Sequence, residues 1–160
     1  MPAALAPPTT RKDFAVTDHT NTATRYLTSL NRHARKHGLG NTISAINVPQ
    51  WEHAKPYLQV YPYVDAGHVA TLVRWLPTLT DPVVRVTCSD LRNLHLHATG
   101  AMDDGTVTGV AALLHDTDRE LVEVNAVTTV GAVIPVELLL SLVSATADES
   151  RTDDTLAGMS

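Results

Sequence analysis

Cysteine, aromatic side chains and long apolar runs are all scarce in this chain of 160 residues. The one cysteine, Cys88, excludes a disulfide within the chain and any zinc site with more than one protein thiolate, and it indicates a reducing compartment. No run approaches the roughly 18 apolar residues that span a bilayer, and residues 1–8 lack the basic and apolar regions of a signal peptide. We therefore expect a soluble cytoplasmic protein.

Charge is distributed unevenly along the chain, whose net charge is −5. Residues 1–37 hold six basic and two acidic side chains, whereas the remainder holds six basic and fifteen acidic ones. Such polarity can steer a charged partner but does not decide a fold. Arg outnumbers Lys nine to three, a bias typical of GC-rich genomes, and we take the chain to be bacterial.

The length suits one domain with its own core. Residues 1–20 are rich in Pro, Thr and Ala without an apolar period, and residues 147–160 are acidic and polar. Both segments are predicted to be disordered tails. The sequence thus predicts a single α+β domain over residues 21–146.

Three helices are predicted from apolar periodicity and capping residues. The first is capped by Asn21 or Thr22 and stopped by Gly38. The second covers residues 65–76 and is closed by a proline, and the third opens with Pro135 at its first position.

Strand-like patterns dominate the rest of the chain. A short strand is predicted over Thr42–Val48, and residues 57–61 are expected to be extended. Four further strand-like runs follow in close succession: Val83–Ser89, Leu94–Met102, Thr106–His115 and Leu121–Val130. Connections this short join antiparallel neighbours. The expected fold is therefore α+β, with N-terminal helices, a four-stranded antiparallel β-meander and a C-terminal helix, the helices covering one sheet face.

His95 and His97 lie two residues apart on a predicted strand, so their side chains leave the same face. Two hairpin registers are possible after this strand. A two-residue turn leaves His115 on the other face, whereas a three-residue loop closed by Gly105 brings it beside His95. The simpler alternative to a metal site has both histidines facing water while the neighbouring strand residues face the core: Leu94, Leu96 and Ala98.

His33 and His37 show the i, i+4 spacing of a bidentate metal pair on the first helix. The metalloprotease version has Glu directly after the first His, where this chain has Ala34. Arg35 and Lys36 lie between the two histidines and would repel a cation. We therefore interpret the pair as a polar helix end, and no metal or cofactor is predicted.

Cys88 alternates with Val84 and Val86, which predicts a buried structural cysteine rather than a nucleophile.

Polar residues also allow a ligand-binding pocket between the sheet and the helices. Its candidate ligand-binding side chains are His68, Arg85, His95 and His97.

The basic end of the first helix is the one nucleic-acid candidate, through Arg32, Arg35 and Lys36. Nucleic-acid-binding domains are commonly basic overall, whereas this chain is acidic. A protein partner with an acidic surface is the better match for these three side chains.

The predicted C-terminal helix is apolar over more than the roughly 100° that packing on one sheet face consumes. Residues 110–114 also read as a strand that is apolar on both sides. Surplus apolar surface of this kind favours a two-fold homodimer. The candidate interface residues are Leu138, Leu142 and Leu114.

No segment matches a catalytic, metal-site or nucleotide-binding motif well enough to name a reaction. The leading hypothesis is a non-enzymatic protein–protein interaction module, a homodimer that acts as an accessory or regulatory protein. The alternative hypothesis is a small-ligand-binding protein or small enzyme with a pocket between sheet and helices.

Overall fold

The computed structural model describes residues 11–49, 54–60, 67–88, 94–114 and 130–144, with side-chain environments from residue 19 onward. Its helices are α1 (Arg11–His37), α2 (His68–Trp75) and α3 (residues 136–144). Its strands are β1 (Ile43–Asn47), β2 (Tyr57–Val60), β3 (Thr80–Cys88), β4 (Leu94–Ala101), β5 (Val107–Leu113) and β6 (Val133–Ile134). Within these ranges, no helix has the length and apolar character needed to cross a membrane.

The sheet has six strands in the order β1-β2-β5-β4-β3-β6. The α+β class and the antiparallel pairs β3–β4 and β4–β5 are as predicted. The predicted four-stranded antiparallel meander is wrong in detail. The antiparallel pair β1–β2 joins the sheet on the side of β5 away from β4, and β2 is parallel to β5. Of the fourth predicted run, residues 121–129 lie outside the described residues and Val130 lies in a turn.

Helix α1 begins at Arg11 and not at the predicted cap, so the described part of the predicted tail, residues 11–20, is helical. The Thr24 hydroxyl donates to the Thr20 carbonyl (2.9 Å) and the Thr28 hydroxyl to the Thr24 carbonyl (2.8 Å). Threonines that donate to the carbonyl four residues earlier satisfy their own hydroxyl groups within the helix. The predicted end is confirmed, because Gly38 follows with a φ of 66°.

All three helices pack on one side of the sheet, which we call the core face. Every second side chain along a strand points to the core face. The strand residues that are almost fully buried there are Leu58, Val84, Val86, Leu96, Ala98, Val110, Ala112 and Ile134. Leu30 of α1, Trp75 of α2 and Leu139 of α3 belong to the same cluster. The opposite side, which we call the open face, carries the side chains of the intervening strand residues, His95 and His97 among them.

The β4–β5 hairpin selects between the two predicted registers. Gly105 has a φ of 83° and donates its amide to the Met102 carbonyl (2.9 Å), which closes a three-residue loop. His97 therefore lies opposite Ala111. The longer of the two predicted loops is confirmed, while His115 lies outside the described residues.

Cys88 is exposed, so the prediction of a buried structural cysteine is wrong. It is the last residue of β3 and pairs with Leu94, the first residue of β4. Alternation assigned it to the apolar side, but at the end of the strand the side chain has passed the margin of the core.

Candidate ligand-binding groove on the open face

Two adjoining cavities lie on the open face. The first, of about 270 Å³, is lined by Tyr57, Gln59, Thr87, Cys88, His95, His97 and Ala111. The second, of about 280 Å³, is lined by Ser44, Gln59, Val60, His68, His95, Ala111 and Leu113. Because they share Gln59, His95 and Ala111, they form one depression, which we call the groove.

The lack of a side chain at Gly109 on β5 makes room for the His97 ring. Gly109 lies beneath the His97 ring, and a Cβ at this position would overlap His97 Nε2 and lie 2.8 Å from the Tyr57 Cβ. The His97 and Tyr57 rings meet edge to face, with centroids 5.8 Å apart. The Tyr57 hydroxyl also accepts a hydrogen bond from the Asn47 amide nitrogen (3.1 Å). The positions of the two rings are therefore set by contacts among four strands, β1, β2, β4 and β5.

The described residues that line the groove are polar or apolar but carry no formal charge. Among the described residues that line it, none is Asp, Glu, Lys or Arg. Burial lowers the pKa of His95 and of His97, and His95 lowers the pKa of His97 further, so both imidazoles are neutral at pH 7. His97 Nε2 is buried and has no hydrogen-bond partner among the described residues. A neutral imidazole offers one donor and one acceptor to a ligand.

Three of the four predicted ligand-binding side chains, His68, His95 and His97, line the groove. Arg85 does not. It lines a separate cavity of about 470 Å³ that includes Lys55 and Asp81. Tyr57 and Gln59 also line the groove but were not among the predicted site residues, although the alternation of β2 could have placed both on one face.

The predicted partner-binding and dimer residues occupy different environments. Arg32, Arg35 and Lys36 are exposed on α1. Leu114 and Leu142 are only 8% and 9% exposed, so other residues of the same chain already bury them. Leu138 is partly exposed. The dimer interface and the acidic partner stay predictions.

A second polar cluster lies where α1 meets the β4–β5 hairpin. The Asp103 carboxylate is 3.1 Å from both His33 Nδ1 and His37 Nε2, and Lys36 Nζ is 3.2 Å from its other oxygen. Burial lowers the pKa of His33, while Asp103 acts in the opposite direction. The histidine spacing was visible in the sequence, but the carboxylate comes from a turn some 70 residues away.

Asp104 makes the neighbouring contact between hairpin and helix. A hydrogen bond from the Ser29 hydroxyl, together with the Thr106 amide (3.0 Å), lowers the pKa of Asp104 from 3.8 to about 2. Since the folded-state pKa is below the unfolded one, the carboxylate stabilises the fold above pH 4, and this contribution is lost as pH falls toward 2. Asp104 is exposed, so solvent screening keeps the effect small.

We expect Asp104→Asn to make the loss of stability on acidification shallower between pH 4 and pH 2, because this carboxylate can then no longer take up a proton. Urea unfolding at half-unit steps of pH measures the slope. The matched control is Asp81→Asn, at an exposed acid for which no such hydrogen bonds are described. An unchanged slope in Asp104→Asn would contradict the assignment.

No protein-family model, curated protein or solved structure matches the chain. The geometry of the groove and of the open face around it is thus the basis of the functional proposal.

Proposed function

We propose that this protein binds a small ligand in the groove on the open face. The observation that supports this most directly is the convergence of His68, His95 and His97 on two adjoining cavities. Ligand sites are concave, largely apolar depressions with a few converging polar groups. Ala111 and Leu113 supply the apolar floor, and the histidines supply the polar groups.

The ligand class follows from the lining. The imidazoles of His95 and His97, together with hydroxyls and an amide, favour an uncharged polar molecule, since the described residues that line the groove include no Asp, Glu, Lys or Arg to pair with a charged one. Each cavity has a volume below about 300 Å³, the lower end of the range for small-molecule sites. A nucleobase or a monosaccharide has the matching size and hydrogen-bonding capacity.

Saturation-transfer NMR with adenine, uracil and glucose as probes tests this proposal on the full chain. We expect at least one probe to bind, and His95→Ala and His97→Ala to weaken it by about tenfold each, the loss that one hydrogen bond of about 1.4 kcal/mol entails. Affinity should be constant between pH 7 and pH 8 and fall as the imidazoles become protonated below pH 6.5. His19→Ala, on α1 and outside both cavities, is the control.

Two outcomes count against the groove. One is the absence of binding for all three probes at millimolar concentration. The other is binding that survives His95→Ala and His97→Ala together, since the ligand would then lie elsewhere on the molecule.

A second candidate function, the homodimeric interaction module, is favoured by a separate observation. Val83, Val107 and Val133 are 42%, 39% and 52% exposed, and strand alternation places all three on the open face. Protein interfaces place apolar side chains at their centre and charged ones at the rim. We propose that a second copy of the chain covers this end of the open face.

Light scattering tests the dimer, which should have twice the monomer mass of 17.2 kDa. We expect Val133→Glu to yield the monomer, because a buried carboxylate without a partner opposes association. Leu27→Glu is the matched control, since Leu27 is 43% exposed on α1, on the other side of the sheet. A monomeric mass for the unchanged chain at micromolar concentration would exclude this function.

An acidic partner for α1 and a cytoplasmic location remain predictions as well.

A further inference from the structure

The cluster at the junction of α1 and the β4–β5 hairpin has the donor set and the spacing of a metal site. His33 and His37 are one helical turn apart, with ring centroids 4.5 Å apart. Each presents one nitrogen to the same oxygen of Asp103, at 3.1 Å. The three donor atoms all lie within 4.8 Å of one another.

These separations suit a tetrahedral ion. Zinc bonds of about 2.0–2.1 Å to nitrogen and oxygen place tetrahedral donors about 3.3 Å apart. The two 3.1 Å contacts with Asp103 therefore need to open by only a few tenths of an ångström to admit an ion, and the two nitrogens, which lie within 4.8 Å of each other, need to be about 3.3 Å apart. Two imidazoles and one carboxylate complete three positions, and the partly exposed His37 and Asp103 side chains leave a fourth open to water.

The hydrogen bonds around His33 direct an unprotonated nitrogen toward the carboxylate. The Thr78 hydroxyl donates to the Trp75 carbonyl (2.8 Å), so its oxygen accepts from His33 Nε2–H (3.0 Å). The Asp103 amide points at His33 Nδ1 (3.4 Å), as expected of an acceptor nitrogen. The lone pair of Nδ1 thus faces Asp103 Oδ2, an arrangement that a cation between them would stabilise.

This arrangement matches the outer shell of protein zinc sites, in which a ligating imidazole donates its other N–H to a protein oxygen. His33 is only 2% exposed and stacks on Trp75 with a centroid distance of 6.1 Å, so its ring is held in place before any ion binds. We propose that His33 Nδ1, His37 Nε2 and Asp103 Oδ2 bind one zinc ion that fastens α1 to the β4–β5 hairpin.

Lys36 is the competitor of the ion. Its ammonium lies 3.2 Å from Asp103 Oδ1, the oxygen that the zinc does not need. The Lys36 side chain is 62% exposed, so it can turn into solvent when an ion arrives. Its charge lowers the affinity for zinc without blocking the site.

Calorimetric titration of the tag-free, EDTA-treated full chain with zinc chloride tests the proposal. We expect one zinc per chain and a rise in Tm. Stoichiometric binding should be lost in His37→Ala and in Asp103→Asn, whose side chains are partly exposed and whose folding is checked by circular dichroism. Thr78→Val should weaken binding by about 10–100-fold through the lost outer-shell hydrogen bond. Lys36→Ala should tighten it a few-fold.

The control is the double variant His95→Ala/His97→Ala, which removes the groove histidines and should leave zinc binding unchanged. Cobalt(II) offers a second readout, because a four-coordinate site gives intense visible absorption that His37→Ala should abolish. The proposal is overturned if the unchanged chain binds no stoichiometric zinc. It is equally overturned if binding persists in both His37→Ala and Asp103→Asn, or disappears in the groove variant.

Discussion

Replacing Trp75 with alanine is expected to lower the free energy of unfolding by about 3–5 kcal/mol. Trp75 is 0% exposed and is the largest fully buried side chain among the described residues. Its indole N–H donates to the Thr42 hydroxyl (2.9 Å), which itself donates to the Leu39 carbonyl (2.7 Å). The substitution removes the ring from the core and leaves the Thr42 oxygen short of a donor, and urea unfolding monitored by circular dichroism measures the loss.

Two variants separate the contributions of the Trp75 ring and its N–H. Trp75→Phe keeps most of the apolar volume but not the hydrogen bond, and it should lose less than the alanine variant. Leu27→Ala, at a side chain that is 43% exposed, should change stability by no more than about 0.5 kcal/mol. A loss below about 1 kcal/mol in Trp75→Ala would contradict the packing described for α2.

Gly109→Ala is expected to lower the free energy of unfolding by about 1–3 kcal/mol, although alanine is ordinarily well tolerated. The added Cβ would overlap His97 Nε2 and lie 2.8 Å from the Tyr57 Cβ, which belongs to the paired strand β2 and cannot move independently of it. The His97 ring must therefore turn away, so ligand binding in the groove should weaken as well. Urea unfolding measures the first effect and saturation-transfer NMR the second.

The matched control is Gly40→Ala, where an added Cβ meets nothing within 4 Å. Removing the His97 ring should relieve part of the clash, so Gly109→Ala should be less destabilising in a His97→Ala background than in the unchanged chain. Equal losses in both backgrounds would contradict the prediction, because the His97 ring would then contribute nothing to the cost of the added Cβ.

Local periodicity was sufficient for the end of α1, for α2, for β1 to β5 and for part of the core, but it missed β6 and the start of α1. Alternation along β3 and β4 correctly assigned Val84, Val86, Leu96 and Ala98 to the apolar face, because strand side chains alternate whatever the strand pairs with. It failed at Cys88, since alternation gives the direction of a side chain but not the point at which the core ends.

The length of the β4–β5 turn could not be predicted from the sequence alone. Both a two-residue and a three-residue loop suited the residues around Gly105, and the two differ in which face each later side chain takes. The structure selects the three-residue loop, with the Asp103 carboxylate turned toward α1. That choice creates the cluster with His33 and His37.

By itself, the sequence determined the α+β class, the stop of α1 at Gly38, the β3–β4–β5 order and the shared face of His95 and His97. These properties depend on contacts between residues close in the chain. Only the tertiary structure decided that β2 joins β5 in parallel, that His68 adjoins His95 in one groove, and that Asp103 meets two histidines of α1. Contacts between segments that are far apart in the chain leave no periodic pattern in the sequence. They depend on which distant apolar surfaces pack together best in the folded chain.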